Sequence, residues 1–382
     1  MTRKFVSGLE LSRRFYMEIV RPILDQHFTN LPHAAGWVGT GSDVLGFDTE
    51  TSTDHDWGPA VLLFLQRPEL EAHGKAIREV MGNHLPFEFL GYPTHNVLSL
   101  VEENTYHMAF TEERPIYHNV WPLTVEGVFQ HHIGLDITQP LDILDWLTIP
   151  SQLLRGFTSG AVHHDGVGDL TAARERLAWY PHDVWLYMLA AGWWRIEASE
   201  SFVGRTGEVD DEIGSALIGA RLVRDVMSQC FLMEQVYAPY PKWFGSAFAQ
   251  LGCAPKMTPL LQNVLRATEW RAREAALVSV YRELAMMHNA LGLTEPLPTE
   301  PTPYFARPFL VIHGENFVEA LSAEVTDPKV RALIDDGIIG NIDQWSDYDE
   351  LKMFIAAKRN RARGLYRSSI PIDSDKPTSA DT

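Results

Sequence analysis

The stretch GTGSDVLGFDTETSTDHDWGPAVLLFL, residues 39–65, decides which fold to expect of this chain. It begins with a glycine-serine turn at Gly39 to Ser42, continues for twelve residues to Asp54 and Asp56, and ends in an apolar run. A short apolar run bounded by turn residues is typical of a buried strand. We therefore expect a strand that begins at Asp56 and belongs to a mixed α/β sheet.

Asp54 and Asp56 are the candidate metal ligands. Side chains on a strand alternate between its faces, so we expect both carboxylates on the same face. Carboxylate oxygens are the ligands that Mg²⁺ and Mn²⁺ prefer. Gly41 would let the backbone approach a ligand closely, and the amides around Ser42 would face a phosphate. Such a site holds a nucleoside triphosphate on metal for phosphoryl or nucleotidyl transfer by positioning and electrostatics.

Each element alone has an ordinary structural explanation. Glycine-serine pairs are common in turns, and an Asp-x-Asp before a strand is also typical of a solvated loop or a helix cap. Their combination at this spacing, leading into a buried strand, favours the functional interpretation.

These motifs resemble those of the polymerase-beta-type nucleotidyltransferase superfamily, which includes aminoglycoside nucleotidyltransferases. The chain is more closely similar to DUF4037, a bacterial family of nucleotidyltransferase-like domains of uncharacterised function. The resemblance covers about residues 30–300, and its motifs are at residues 36–48, 52–59, 145–147, 160–165, 174–181 and 240–243. It implies that Gly41 and Ser42 contact phosphate and that Asp54 and Asp56 bind the metals.

The resemblance also implies a third carboxylate from a later strand. Asp165 follows the short run Ala161 to His164, and Glu126 lies in a stretch that predicts either a strand or the start of a helix. We favour Asp165, although turn chemistry alone would also explain an aspartate before Gly166. If neither acid reaches the metals, the chain could bind a nucleotide without transferring it.

The amino-acid composition indicates which kinds of partner to expect. The chain has 382 residues, 45% of them hydrophobic, and a formal net charge of −18. Because nucleic-acid binding depends on Lys and Arg neutralising phosphates, the acidic balance favours a small-molecule acceptor over DNA or RNA. No long apolar segment or signal peptide is apparent, which makes the cytoplasm the expected location. Cys230 and Cys253 are expected to be core thiols rather than a disulfide.

The patterns predict an α+β or mixed α/β chain in five segments. An amphipathic helix in residues 1–30 packs on a nucleotidyltransferase-like α/β domain at 31–170. A helical bundle follows at 171–300, where apolar residues recur at intervals of three and four residues. Residues 301–367 form a C-terminal appendage, and 368–382 are expected to be disordered.

Two further features are candidates for function. Lys242, on the aromatic and proline-rich loop before Trp243, would place a cation near a triphosphate, or would simply be a solvated lysine on an inter-helix turn. The pair His163-His164 receives no metal role, because neighbouring residues on a strand face opposite sides.

The function predicted from the sequence is a metal-dependent nucleotidyltransferase. It would use Mg²⁺ or Mn²⁺ and an NTP donor, with ATP expected, and move NMP to a hydroxyl or amine of a small-molecule acceptor in a cleft beside the helical domain. Two alternatives remain open: a nucleotide-binding or regulatory protein that kept the metal site without the chemistry, and an enzyme that modifies a protein side chain.

Overall fold

The computed structural model describes residues 4–99 and 105–366. The described residues fall into two compact units, one made of those up to Pro140 together with Gln152–Ala178, and the other of Leu141–Ser151 together with those from Trp179 onward. The expected disordered tail, residues 368–382, lies outside the described residues.

The α-helices of the first part of the chain are α1 Gly8–Phe15, α2 Arg21–His27, α3 Arg67–His84, α4 Val125–Ile133, α5 Ile143–Thr148, α6 Ser151–Thr158 and α7 Asp169–Arg176. Those of the second part are α8 His182–Glu200, α9 Phe202–Gly207, α10 Glu212–Met233, α11 Pro241–Phe248, α12 Ala254–Arg266, α13 Trp270–Leu291, α14 Gly314–Glu324, α15 Pro328–Asp335, α16 Ile342–Trp345, α17 Asp349–Met353 and α18 Ile355–Arg363. The strands are β1 Ala34–Trp37, β2 Ala60–Phe64, β3 Glu88–Phe89, β4 Tyr92–Pro93, β5 His95–Leu98, β6 Tyr106–Ala109, β7 Asn119–Leu123, β8 Ala161–Asp165, β9 Thr302–Pro303 and β10 Leu310–Val311. None of these helices is long and apolar enough to cross a membrane.

A four-stranded mixed sheet organises the first unit. Its order is β7-β2-β1-β8, with β2 and β7 parallel and β1 antiparallel to both β2 and β8. The apolar run predicted as a strand is β2, which lies between β7 and β1, and four of its five residues are buried. The predicted mixed α/β sheet is confirmed. Its central strand is shorter than expected, since pairing begins only at Ala60.

The N-terminal segment is helical and packs on this sheet. It runs as α1, a π-helical turn at Tyr16–Val20, and α2. Its apolar stripe, including Leu11 and Phe15, shares one core with Val61 and Leu63 of β2. A hydrophobic face at helical spacing is buried in this way because removing apolar surface from water is favourable, by roughly 25 cal/mol per Å².

A bulge in β8 changes the histidine geometry expected there. The register with β1 shifts between Ala35 and Gly36, which leaves His163 as the extra residue. The rings of His163 and His164 both lie beside Tyr16, with centroids 6.1 and 6.3 Å from the tyrosine ring. The expectation that these two histidines face opposite sides is therefore wrong, because it assumed regular alternation.

The second unit is mainly helical, as the apolar periodicity indicates. Within residues 171–300, where the sequence predicts a helical bundle, the long helices are α8, α10 and α13. Helices α12 and α13 are separated by a break after Arg266. Gly292 ends α13 in the left-handed conformation with a φ of 64°, which glycine adopts without strain.

Candidate functional site

The glycine-serine turn and the Asp-x-Asp loop leave the sheet at the same edge. The turn follows the last residue of β1, and the loop precedes the first residue of β2. Because the two strands are antiparallel, with Gly36 opposite Leu62, the end of β1 lies beside the start of β2. The two predicted motifs are thus brought to one edge of the first unit.

The turn has the backbone geometry that its glycines permit. Gly39 and Gly41 have φ angles of 114° and 140°, which other residues rarely adopt. The N–H of Gly39 donates to the carbonyl of Gly156 in α6 at 3.0 Å. A Cβ on Gly156 would lie 2.1 Å from the Gly39 carbonyl oxygen, so α6 and the turn can approach this closely only with glycine there.

Backbone donors of the turn are available to a ligand. Thr40 and Gly41 are exposed and Ser42 is half-buried. Within the described part of the chain, no acceptor is recorded for the N–H groups of these three residues. Successive unengaged amides in a glycine turn form a concavity that suits an anion such as phosphate.

The two acids are exposed, but they do not lie on a strand. Asp54 ends a 3₁₀ helix, Glu50–Asp54, and Asp56 has a left-handed φ of 45°. The expectation that strand alternation would put both carboxylates on one face is therefore wrong, because the acids precede the pairing of β2 by four or more residues. Whether their carboxylates converge depends on this loop and not on strand geometry.

Each acid is partly engaged by a neighbour. Oδ1 of Asp54 lies 2.9 Å from Nδ1 of His55. Oδ1 of Asp56 accepts a hydrogen bond of 2.9 Å from the backbone N–H of Tyr106 in β6. Among the described residues, no partner is recorded for Oδ2 of either acid. Both acids therefore keep one carboxylate oxygen for a cation.

Asp43 and Asp48 fix the segment that joins the turn to the acids, and the sequence reasoning missed both. Oδ2 of Asp43 accepts from the indole of Trp37 at 2.6 Å, and burial raises its pKa to about 6. Oδ2 of Asp48 accepts from the indole of Trp57 at 3.1 Å and from the N–H of Gly8 at 2.6 Å. Only the tryptophans near these aspartates in the sequence could have indicated such bonds.

The structure does not bring either candidate for the third carboxylate to this edge. Asp165 pairs with Ala34, at the start of β1, while Ala161 pairs with Trp37 beside the turn. Three residues of strand separate the two positions by about 10 Å. Glu126 follows the end of β7. Because β7 is parallel to β2, that end lies at the edge of the sheet opposite the turn.

Local contacts account for both of these acids. Asp165 accepts from the N–H of Gly168 at 2.7 Å and from the N–H and hydroxyl of Thr171 at 2.8 and 2.6 Å. Its pKa is lowered: burial opposes the shift, but these hydrogen bonds favour the carboxylate. Glu126 forms an ion pair of 2.7 Å with Arg67. Turn capping and a surface ion pair therefore explain their presence.

Lys242 and Arg155 are the two positively charged side chains considered for phosphate binding. Lys242 is exposed on α11 of the second unit, with its Nζ 5.2 Å from the Trp243 ring centroid. Arg155, in the first unit and next to Gly156, places its guanidinium 5.9 Å from the ring centroid of Phe47. Burial lowers the pKa of Arg155, yet a guanidinium stays charged at neutral pH. Sequence reasoning missed Arg155 because α6 lies more than a hundred residues after the turn.

The residues at this edge fit a metal-nucleotide complex in part. Two exposed carboxylates with unengaged oxygens suit one hard cation, and the open amides of the turn suit phosphate. Across residues 4–99 and 105–366, however, no group of three or more His, Cys, Asp or Glu side chains is arranged to hold a metal ion.

Comparison with known proteins supports the resemblance over part of the chain. The model of DUF4037, a domain of unknown function, matches residues 146–244, and the predicted similarity to that family is confirmed there. Among curated proteins, none matches this chain. The chain is also similar to a nucleotidyltransferase-like protein from Exiguobacterium sibiricum 255-15, known from a crystal structure. The identity is 11% and the TM-score 0.31, over 86% of this chain and 91% of that one. Those values are too low to establish a shared fold.

Proposed function

We propose that the protein is a metal-dependent nucleotidyltransferase that moves NMP from an NTP, with ATP the expected donor, to a hydroxyl or amine of a small-molecule acceptor. One observation carries the proposal: the glycine-serine turn and the Asp54/Asp56 loop occupy the same edge of the mixed sheet. A cytoplasmic location remains part of the proposal.

In this proposal the chain's own groups bind and orient the triphosphate. The open amides at Gly41 and Ser42 would donate to its phosphate oxygens, and Asp54 and Asp56 would hold Mg²⁺ or Mn²⁺. The metal would neutralise phosphate charge and polarise the reacting phosphoryl group. Lys242 would supply a further positive charge, in keeping with the role that the resemblance implies.

A second candidate function, nucleotide binding without transfer, is favoured by one observation. Asp165 and Glu126 both lie toward the opposite edge of the sheet and are engaged elsewhere. With two acids instead of three, activation of an acceptor hydroxyl or amine lacks an evident general base, while metal-nucleotide binding needs none. A protein side chain as acceptor is the remaining alternative.

A thermal-shift series tests the binding that both candidates share. The full chain is heated with ATP, GTP, CTP or UTP, with and without Mg²⁺, beside the variant Asp54→Asn/Asp56→Asn. A ligand at a hundred times its Kd stabilises the folded state by about 2.7 kcal/mol. We expect a Mg²⁺-dependent shift with at least one nucleotide that the double variant loses. A shift of equal size in the double variant would exclude these acids as the metal ligands.

Pyrophosphate release then separates the two candidates. Transfer predicts release that depends on an added hydroxyl or amine acceptor and is lost in Asp54→Asn/Asp56→Asn. Binding alone predicts the thermal shift without release for any acceptor. The variant Glu126→Gln is a matched control, because it removes an acid that the structure puts near the far edge and should leave both readouts unchanged.

A further inference from the structure

The second unit contains a cavity of about 380 Å³, which no part of the proposed function uses. One wall is a face of α10, where Arg224, Met227 and Ser228 recur at three and four residues and so point the same way. Pro239 and Phe244 of α11 also line the cavity. A cavity of this size lies within the range of about 300–1,000 Å³ typical of small-molecule sites.

A smaller recess extends the cavity among aromatic side chains. It measures about 50 Å³ and shares Ser151, Ser228, Ala238 and Asp343 with the larger cavity. Trp179 and other aromatic residues of the second unit line it. The recess is therefore rich in aromatic rings, a surface that suits a flat apolar group.

Charged side chains at one part of the cavity bond to one another. Oδ2 of Asp343 accepts from the N–H of Ser151 at 2.7 Å, and its Oδ1 lies 3.5 Å from Nζ of Lys352. Lys352 is nearly buried and also lies 3.2 Å from Asp349. The three side chains are thus engaged with one another, and one lysine beside two carboxylates leaves one negative charge in this group.

Arg224 differs from these groups because it is exposed and lines the same cavity without an acid partner. Within the described part of the chain, no hydrogen bond or ion pair is recorded for its guanidinium. The preceding arginine on this helix, Arg221, lies 3.7 Å from Asp225. A guanidinium presents five donors that match a carboxylate, so an unpaired one that lines a cavity favours an anionic ligand there.

We propose that this cavity is a second ligand site, which binds a small organic acid with its flat apolar body against Phe244 and Met227 and its carboxylate on Arg224. The residues that line this site all belong to the second unit.

Isothermal titration of the full chain with indole-3-acetate and with its neutral amide, indole-3-acetamide, tests this proposal. We expect wild type to bind the acid more tightly than the amide. Arg224→Ala should weaken binding of the acid about tenfold, as loss of a charge-assisted hydrogen bond predicts, and leave the amide unaffected. Phe244→Ala should weaken both probes, because both lose the apolar wall.

Arg221→Ala is the matched control, since it removes an exposed arginine from the same helix, and it should bind both probes as wild type does. Equal affinity of wild type for acid and amide, or no effect of Arg224→Ala on the acid, would overturn the proposal. No binding of either probe to wild type at millimolar concentration would also overturn it.

Discussion

Replacing Gly41 by alanine should destabilise the first unit through two separate effects. The φ of 140° at this position is a conformation that alanine adopts only with strain, at a cost of about 1–3 kcal/mol. The new Cβ would also lie 2.3 Å from Oδ1 of Asp43. That carboxylate is held by the Trp37 indole and by the N–H of Val44, so moving it breaks buried hydrogen bonds at about 1–3 kcal/mol. Together they lower the free energy of unfolding by about 2–6 kcal/mol.

Gly39→Ala separates the two effects. Gly39 belongs to the same turn and has a φ of 114°, but a Cβ there would meet nothing within 4 Å. Only the backbone strain of about 1–3 kcal/mol should remain. The difference between the two variants therefore measures the Asp43 contact.

Urea unfolding monitored by hydrogen exchange of peptides from β1 and β2 is the assay, because it reports on the first unit rather than on the whole chain. We expect wild type to be most stable, Gly39→Ala intermediate and Gly41→Ala least stable. Equal stability of the two variants would show that the hydrogen bonds from Trp37 and Val44 do not hold the Asp43 carboxylate in place beside Gly41.

Three further outcomes follow from buried groups of the second unit. Burial raises the pKa of Glu200 to about 8 from 4.5, so the unfolding free energy should fall as pH rises between those values, by up to about 1.4 kcal/mol per pH unit; in urea titrations Glu200→Gln should lose this contribution and show a shallower profile than wild type. Asp145→Ala removes the buried partner of Arg359 and Arg363 in α18, so it should lower the free energy of unfolding by about 3–5 kcal/mol in the same assay. A loss below about 1 kcal/mol would show that these ion pairs are solvated. Cys253 is half-buried, whereas Cys230 is buried and its pKa is raised by its contact with Cys253 and by burial. Ellman's reagent should therefore modify one thiol quickly in the native protein and two in guanidinium, and two fast thiols in the native protein would contradict this packing.

The sequence was informative where structure follows from local pattern. The apolar run at Ala60 predicts β2, and the periodicity of α8 and α10 predicts helices, because burial of one face or stripe determines both. The turn at Gly41 was also predictable, since few residues other than glycine adopt its backbone angles.

Features set by long-range pairing were not predictable in this way. Asp56 precedes the strand because pairing with β7 begins at Ala60, which the local pattern does not reveal. Asp165 is at the end of a strand as expected, but the antiparallel register with β1 puts it away from the turn. Strand direction and order, rather than residue type, decide which side chains meet at a sheet edge.

The most direct test of the central claim is the position of a bound metal. Crystals of the full chain grown with Mn²⁺ and a non-hydrolysable ATP analogue would give an anomalous scattering peak for manganese. We expect a peak about 2.0–2.2 Å from carboxylate oxygens of Asp54 and Asp56, and phosphate oxygens that accept hydrogen bonds from the amides of Gly41 and Ser42. A peak elsewhere in the chain, or nucleotide bound away from this turn, would contradict it.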